Sequence, residues 1–174
     1  MKLCVRVLFL ISVVTFFSGC GEDPEKAAFR KALVEKALND DTRKAGNAFL
    51  LENQKKADVV TLASGLQYKV LESSPSGTYP SMLQSVVVHY EGTRVDGGVV
   101  DSSYARGKPS TFPLKSVIKG WQEALLKMKT GDVWMLYLPA DLAYGATSPS
   151  EAIPANSALV FKVELMEVVD ADAQ

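Results

Sequence analysis

The chain has 174 residues, 47% hydrophobic and 22% charged, which suits one globular domain with accessory segments rather than a disordered chain or two large domains. Its formal net charge is −1, from 19 basic and 20 acidic residues. That balance offers no basic stripe to meet phosphates and argues against a nucleic-acid partner.

Lys2 and Arg6 flank the start of an apolar run from Val7 to Phe17. That run is too short to span a membrane, which takes roughly 20 apolar residues. Residues 1–19 therefore read as an export signal. Phe17-Ser18-Gly19-Cys20 resembles the lipobox of bacterial lipoproteins, although Phe17 is less usual there than Leu. The resemblance implies cleavage before Cys20 and acylation of that residue, which would tie the protein to a membrane. Ordinary signal cleavage with Cys20 incidental is the alternative. Gly21 after the lipidated Cys, rather than Asp, implies the outer membrane of a bacterial envelope. Cleavage leaves 17 basic residues against 20 acidic ones, a net −3, and removes Cys4. With Cys20 as the one cysteine left, no disulfide can form within a chain.

Residues 20–25 form a short polar tether, and a helical lead-in is expected over residues 26–58. Phe29, Leu33 and Ala37 recur at four-residue spacing, and Ala45, Ala48 and Phe49 extend the apolar stripe. Lys31 with Glu35, and Glu52 with Lys56, are i,i+4 charge pairs for the wet face. Asn39-Asp40-Asp41-Thr42 interrupts the pattern and suits a helix cap. The apolar stripe is narrow, so these helices are expected to pack on a partner chain or to act as a spacer.

A domain over residues 59–174 follows, with short alternating runs between turns. Leu66, Tyr68 and Val70 alternate with polar residues. Ser85 to Arg94 is a strand with Val86, Val88 and Tyr90 on one face, and with His89 and Glu91 on the wet one. Asp96-Gly97-Gly98 makes a hairpin turn into Val99 and Val100. A short helix within Lys115 to Met128 carries Trp121, Leu125 and Leu126. Val133 to Leu138 is an apolar strand stopped by Pro139; a loop from Asp141 to Ala155 and a last strand from Leu159 to Val169 complete the chain. Four or five antiparallel strands with one short helix amount to an α+β fold, an antiparallel sheet wrapped around that helix and preceded by a helical segment.

No standard catalytic constellation is present. The one histidine, His89, has no identifiable triad partners, and no clustered ligands for a metal or glycine-rich phosphate loop occur. What remains is a set of aromatic and aliphatic residues beside turns: Tyr90, Phe112, Val117, Ile118, Trp121, Tyr144, Ile153 and Phe161. Trp121 taken alone is better explained as core than as ligand floor. Tyr144 is different, because its Pro/Gly-flanked loop gives it no obvious core to fill.

From Leu66 to Val168 the chain resembles the FKBP-type peptidyl-prolyl cis-trans isomerases. The resemblance rests on Val87-Val88-His89-Tyr90, Asp101-Ser102-Ser103, Gly107-Lys108-Pro109, Val117-Ile118-Lys119-Gly120-Trp121, Ala143-Tyr144-Gly145-Ala146 and Leu159-Val160-Phe161, in that order. Ala45 to Leu50, through Ser64-Gly65-Leu66-Gln67-Tyr68, is similar to the helical lead-in of the exported, Mip-like subgroup.

The resemblance implies an FKBP-like fold and isomerisation of X-Pro bonds in exported polypeptides. It also implies a site: Trp121 as pocket floor, and Tyr90, Val100, Phe112, Val117, Ile118, Ile153 and Phe161 as walls. The Ile118 amide and the Tyr144 hydroxyl would hold substrate carbonyls, and Asp101, oriented by Arg106, would face the twisting amide. An exposed ion pair without a site role is the alternative for Asp101 and Arg106. Rotation breaks no bond, so no cofactor or metal is expected. Val100 and Ser110 stand where the family commonly has aromatics, and Pro149-Ser150-Glu151-Ala152 departs from its commoner overhanging loop. A proline-binding holdase chaperone and an interaction platform therefore stand as rivals to the enzyme. Mip-like modules carry a longer helical region for dimerisation, so a homodimer through the N-terminal helices is open here.

Overall fold

The computed structural model describes residues 25–26, 29–30, 32–33 and 40–170. The export signal, Cys20, most of the tether and the Lys31–Glu35 pair lie outside them. Residues 25–26, 29–30 and 32–33 are helical, and no described helix is long and apolar enough to cross a membrane.

Helix α1, Asp41–Asn53, begins where the polar interruption predicts. The Asp40 carboxylate accepts from the backbone N–H groups of Thr42 at 2.9 Å and Arg43 at 3.2 Å, satisfying two otherwise orphaned donors. The face it buries is the expected one only in part: Phe49 is half-buried, its ring 6.1 Å from that of Tyr137. Ala45 and Ala48 are exposed, and the buried positions are Gly46, Leu50 and Asn53. Gly46 is buried because the helix closes on the residue just before β7: a Cβ on it would stand 2.8 Å from the Ala158 Cβ. Asn53 is buried because its amide donates to Gln67 at 2.9 Å, and Gln67 in turn donates to the Leu50 carbonyl. Helix α1, the later part of that lead-in, therefore packs on its own chain. It also ends before Lys56, so Glu52 pairs with Lys55 at 2.7 Å and Lys56 donates to Asn53 instead.

The strands are β1 Val60–Thr61, β2 Gln67–Glu72, β3 Ser85–Arg94, β4 Val99–Ser102, β5 Ser110–Pro113, β6 Val133–Leu138 and β7 Leu159–Val169. All pair antiparallel in one sheet of order β1-β2-β6-β7-β3-β4, with β5 also on β3. Seven strands replace the expected four or five, the additions being the short β1 and β5. The β3–β4 hairpin turns at Gly97, whose φ of 87° lies in the left-handed region that glycine adopts without strain.

Helix α2, Lys119–Leu125, follows a single 3₁₀ turn, Leu114–Ser116, and lies on one face of the sheet. Alternation along the strands sorts the residues. Trp134, Leu136 and Leu138 of β6, with Leu159, Phe161, Val163 and Leu165 of β7, join Trp121, Ala124 and Leu125 of α2 in the main core. Their neighbours Met135, Tyr137 and Val160 turn the other way, to Phe49 and Leu50 of α1.

Candidate functional site

A cavity of about 300 Å³ opens at the edge of the main core, where α2 begins. Trp121 lies in the first turn of α2, its backbone N–H donating to the Ile118 carbonyl at 2.9 Å, and is only 3% exposed. Three rings stand nearly perpendicular to its indole. Tyr90 of β3 is at 5.2 Å and 85°, Phe161 of β7 at 5.3 Å and 85°, and Phe112 of β5 at 6.1 Å and 82°. Edge-to-face pairs of this kind are favourable and fix ring positions. The result is a rigid apolar cup with an indole at its base.

The remaining lining comes from Val100 and Asp101 on β4, Ser116, Val117 and Ile118 ahead of α2, and Tyr144 and Ile153 on the long loop after β6. Ile118 is the N-cap of α2, and its amide is one of those a helix start leaves unpaired. Tyr144 is 39% exposed while lining the cavity, so the residue stands between cavity and water.

One polar network borders the cup. The Asp101 carboxylate accepts from the Tyr90 hydroxyl through one oxygen and from the Arg106 guanidinium through the other. Arg106 also donates to the Tyr90 hydroxyl at 3.0 Å and to the Ser110 hydroxyl at 3.1 Å, and lies 5.5 Å above the Tyr90 ring. Partial burial pushes the Asp101 pKa up, but the bonds from Tyr90 and Arg106 outweigh it and hold the carboxyl below its ordinary value. Tyr90 moves the other way: burial first, then its bond to Asp101, raise its pKa. The phenol therefore stays protonated and the carboxylate ionised at neutral pH.

Every expected site residue lines the cavity except Arg106, which reaches it through Asp101 and Tyr90. Ser116 was missed; a serine between Lys115 and Val117 carries no signal of its own. His89 is half-buried rather than solvent-facing. Its Nδ1 lies 2.9 Å from the Ser103 hydroxyl and its ring stacks on Tyr104 at 4.6 Å, on the opposite face from the cup. Among the described residues no group of His, Cys, Asp and Glu is arranged to hold a metal ion.

Comparison with known proteins places this geometry. Residues 77–166 match the FKBP-type peptidyl-prolyl cis-trans isomerase family, and residues 22–70 match the domain amino terminal to such isomerases. Peptidyl-prolyl cis-trans isomerase Mip of Coxiella burnetii is 54% identical over 121 residues, covering 70% of this chain and 52% of that protein. Outer membrane protein MIP of Legionella longbeachae is 42% identical over 149 residues, covering 82% of this chain and 64% of that one. The chain thus spans about half to two-thirds of the length of these relatives. Among solved structures, FkpA from Escherichia coli superposes with a TM-score of 0.72 at 38% identity, over 85% of this chain and 70% of that one. With its seven-stranded sheet, its cup and these matches, the chain belongs to the FKBP-type peptidyl-prolyl cis-trans isomerase family, in the Mip- and FkpA-like subgroup.

Proposed function

We propose that the protein isomerises peptide bonds preceding proline and so assists the folding of exported polypeptides. The observation that carries this is the cup: a nearly buried indole with three aromatic rings nearly perpendicular to it, at the base of a cavity large enough to admit a proline ring. The barrier to rotation is about 18–20 kcal/mol and arises from amide resonance. Resonance places charge on the carbonyl oxygen, and twisting the bond removes it. An apolar cup favours the less polar, twisted amide relative to water. The Ile118 amide, at the start of α2, and the Tyr144 hydroxyl hold the flanking carbonyls, which fixes the chain while the bond turns. Asp101 faces the amide and Arg106 orients it. Kinetics of a short X-Pro peptide test this: rapid turnover by the wild type, and loss of roughly 10-fold in Asp101→Ala and in Tyr144→Phe, are the expected results. Wild-type turnover no faster than the uncatalysed reaction refutes it.

A second reading is a proline-binding holdase with little turnover, favoured by the small Val100 in the cavity lining and by Ser110 as a partner of Arg106. Slow isomerisation with undiminished suppression of client aggregation would select it.

The same proposal includes cleavage before Cys20, lipidation there, and anchorage in a bacterial envelope, with residues 59–174 as the isomerase unit. Support comes from the lipobox-like Phe17-Ser18-Gly19-Cys20 and from the name of the Legionella relative, an outer membrane protein. Cys20→Ala should release the protein from membranes; continued retention sinks the anchor. Pairing of two chains through the N-terminal helices would cover Phe29 and Leu33, which are 67% and 51% exposed. Sedimentation of the Phe29→Ser/Leu33→Ser variant as a monomer beside a dimeric wild type is the expected outcome.

A further inference from the structure

The long loop between β6 and β7 carries two cavity residues, Tyr144 and Ile153, yet it has little regular structure to hold it. Its two ends meet on one side chain from outside the family's catalytic module. Arg43, in the first turn of α1, donates from Nη1 to Asp141 at 3.0 Å and from Nη2 to Asp141 at 2.7 Å, a forked pairing with both carboxylate oxygens. The same Nη2 donates to the Asn156 side-chain carbonyl at 3.3 Å. Asp141 opens the loop and Asn156 closes it.

Both contacts feed directly into the backbone around Tyr144. The Asn156 N–H donates to the Gly145 carbonyl at 2.7 Å, and the Gly145 N–H donates to the Ala140 carbonyl at 2.8 Å. Asn156 holds a φ of 62°, in the left-handed region that asparagine adopts more readily than other non-glycine residues. Within the loop, the Ser148 hydroxyl donates to the Ile153 carbonyl at 2.8 Å, so the two cavity-bearing halves are tied together.

The position of Arg43 is itself fixed. Asp40 accepts from its backbone N–H, and Gly46 brings the helix against Ala158, two residues beyond Asn156. The Arg43 side chain is only 13% exposed and its Nε has no partner among the described residues, so the forked end makes its hydrogen bonds. The bond from Arg43 lowers the pKa of Asp141, against the effect of burial.

We propose that Arg43 is a positioning residue for substrate: from α1 it clasps Asp141 and Asn156 and so holds the loop with Tyr144 and Ile153 in the shape that receives the proline peptide. The proposal rests on the isomerase reading of the cavity. Releasing the clasp lets the loop sample other shapes, and the apparent affinity then falls by the fraction of molecules left competent.

The test uses the full chain and a short X-Pro peptide, with affinity measured by calorimetry and loop opening by amide hydrogen exchange. Arg43→Met should weaken the peptide Kd about fivefold and speed exchange at the Gly145 and Asn156 amides about tenfold, leaving Val88 and Val163 in the sheet unchanged. Asp141→Asn should behave alike, and Arg43→Met/Asp141→Asn should be no worse than either single change, because the two act as one unit. Arg43→Lys keeps the charge without the fork and should recover part of the affinity. An unchanged Kd in Arg43→Met, or exchange that rises equally in β3 and β7, overturns the proposal, the latter by showing a merely global role. A wild type that binds no proline peptide defeats the isomerase reading and this proposal together. Wild-type binding that the variants leave untouched defeats only the clasp.

Discussion

On the face of the sheet that carries α2, Leu136, Leu138, Val163 and Leu165 are completely buried, in one core with Trp121, Ala124 and Leu125. On the face that carries α1, the buried cluster is Leu50, Tyr137 and Ala158, and the helix depends as much on polar ties. Those ties are Asn53 to Gln67, Gln67 to the Leu50 carbonyl, and Arg43 to Asp141. The difference separates two jobs. A continuous apolar core fixes the floor and walls of the cup, because a close-packed interior cannot shift locally without cost. The lightly packed face is secured by directional bonds and adjusts the loop at the cup's rim.

This contrast can be broken at its centre first. Trp121→Ala removes both the pocket floor and a buried indole, so kcat/KM for an X-Pro peptide should fall at least ~100-fold and stability by about 3–5 kcal/mol. Activity within a fewfold of wild type would mean that the cup is core only. The two faces can next be compared with one kind of truncation. Leu136→Ala should cost about 3–5 kcal/mol in urea unfolding and Leu50→Ala no more than ~2, because a site beside an exposed helix relaxes more easily. Equal losses would erase the distinction between the faces.

A subtler check concerns the rim network. The folded Asp101 pKa is depressed, since its bonds from Tyr90 and Arg106 outweigh the upward push of burial. The stability it adds is therefore fully present above the unfolded carboxylate value of about 3.9 and is lost as pH falls through the lower folded value. An NMR titration of its carboxyl should give a midpoint below about 3.9; a midpoint above it would mean that burial dominates. The smallest effect is expected from Val100→Phe, which adds an aromatic wall and should raise kcat/KM about two- to threefold. Unchanged or lower activity would count against Val100 as part of that wall.

Much of the α2 face was legible in the sequence. Strands β3, β6 and β7 coincide with the segments read from alternation, apolar runs and the stop at Pro139, because burial of one or both faces imposes those patterns. The cup residues were recognisable through motif order, since Tyr90, Trp121 and Phe161 taken singly look like ordinary core. The α1 face was legible only in part, through Phe49 and the cap at Asp40. Its contact stripe includes Gly46 and Asn53, which are buried by close approach and by a hydrogen bond, so an apolar pattern pointed to Ala45 and Ala48 instead. Strands β1 and β5, at two and four residues, are too short to display a period. Arg43 was invisible for a related reason: its partners Asp141 and Asn156 lie 98 and 113 positions away, and only the folded chain brings them together.

The most direct test of the account is NMR exchange spectroscopy of the cis and trans forms of a short X-Pro peptide with catalytic amounts of the full chain. Uncatalysed isomerisation takes tens to hundreds of seconds. The wild type should bring exchange to seconds or faster, and Trp121→Ala should return it toward the uncatalysed rate. Exchange as slow with the wild type as without it would contradict the account.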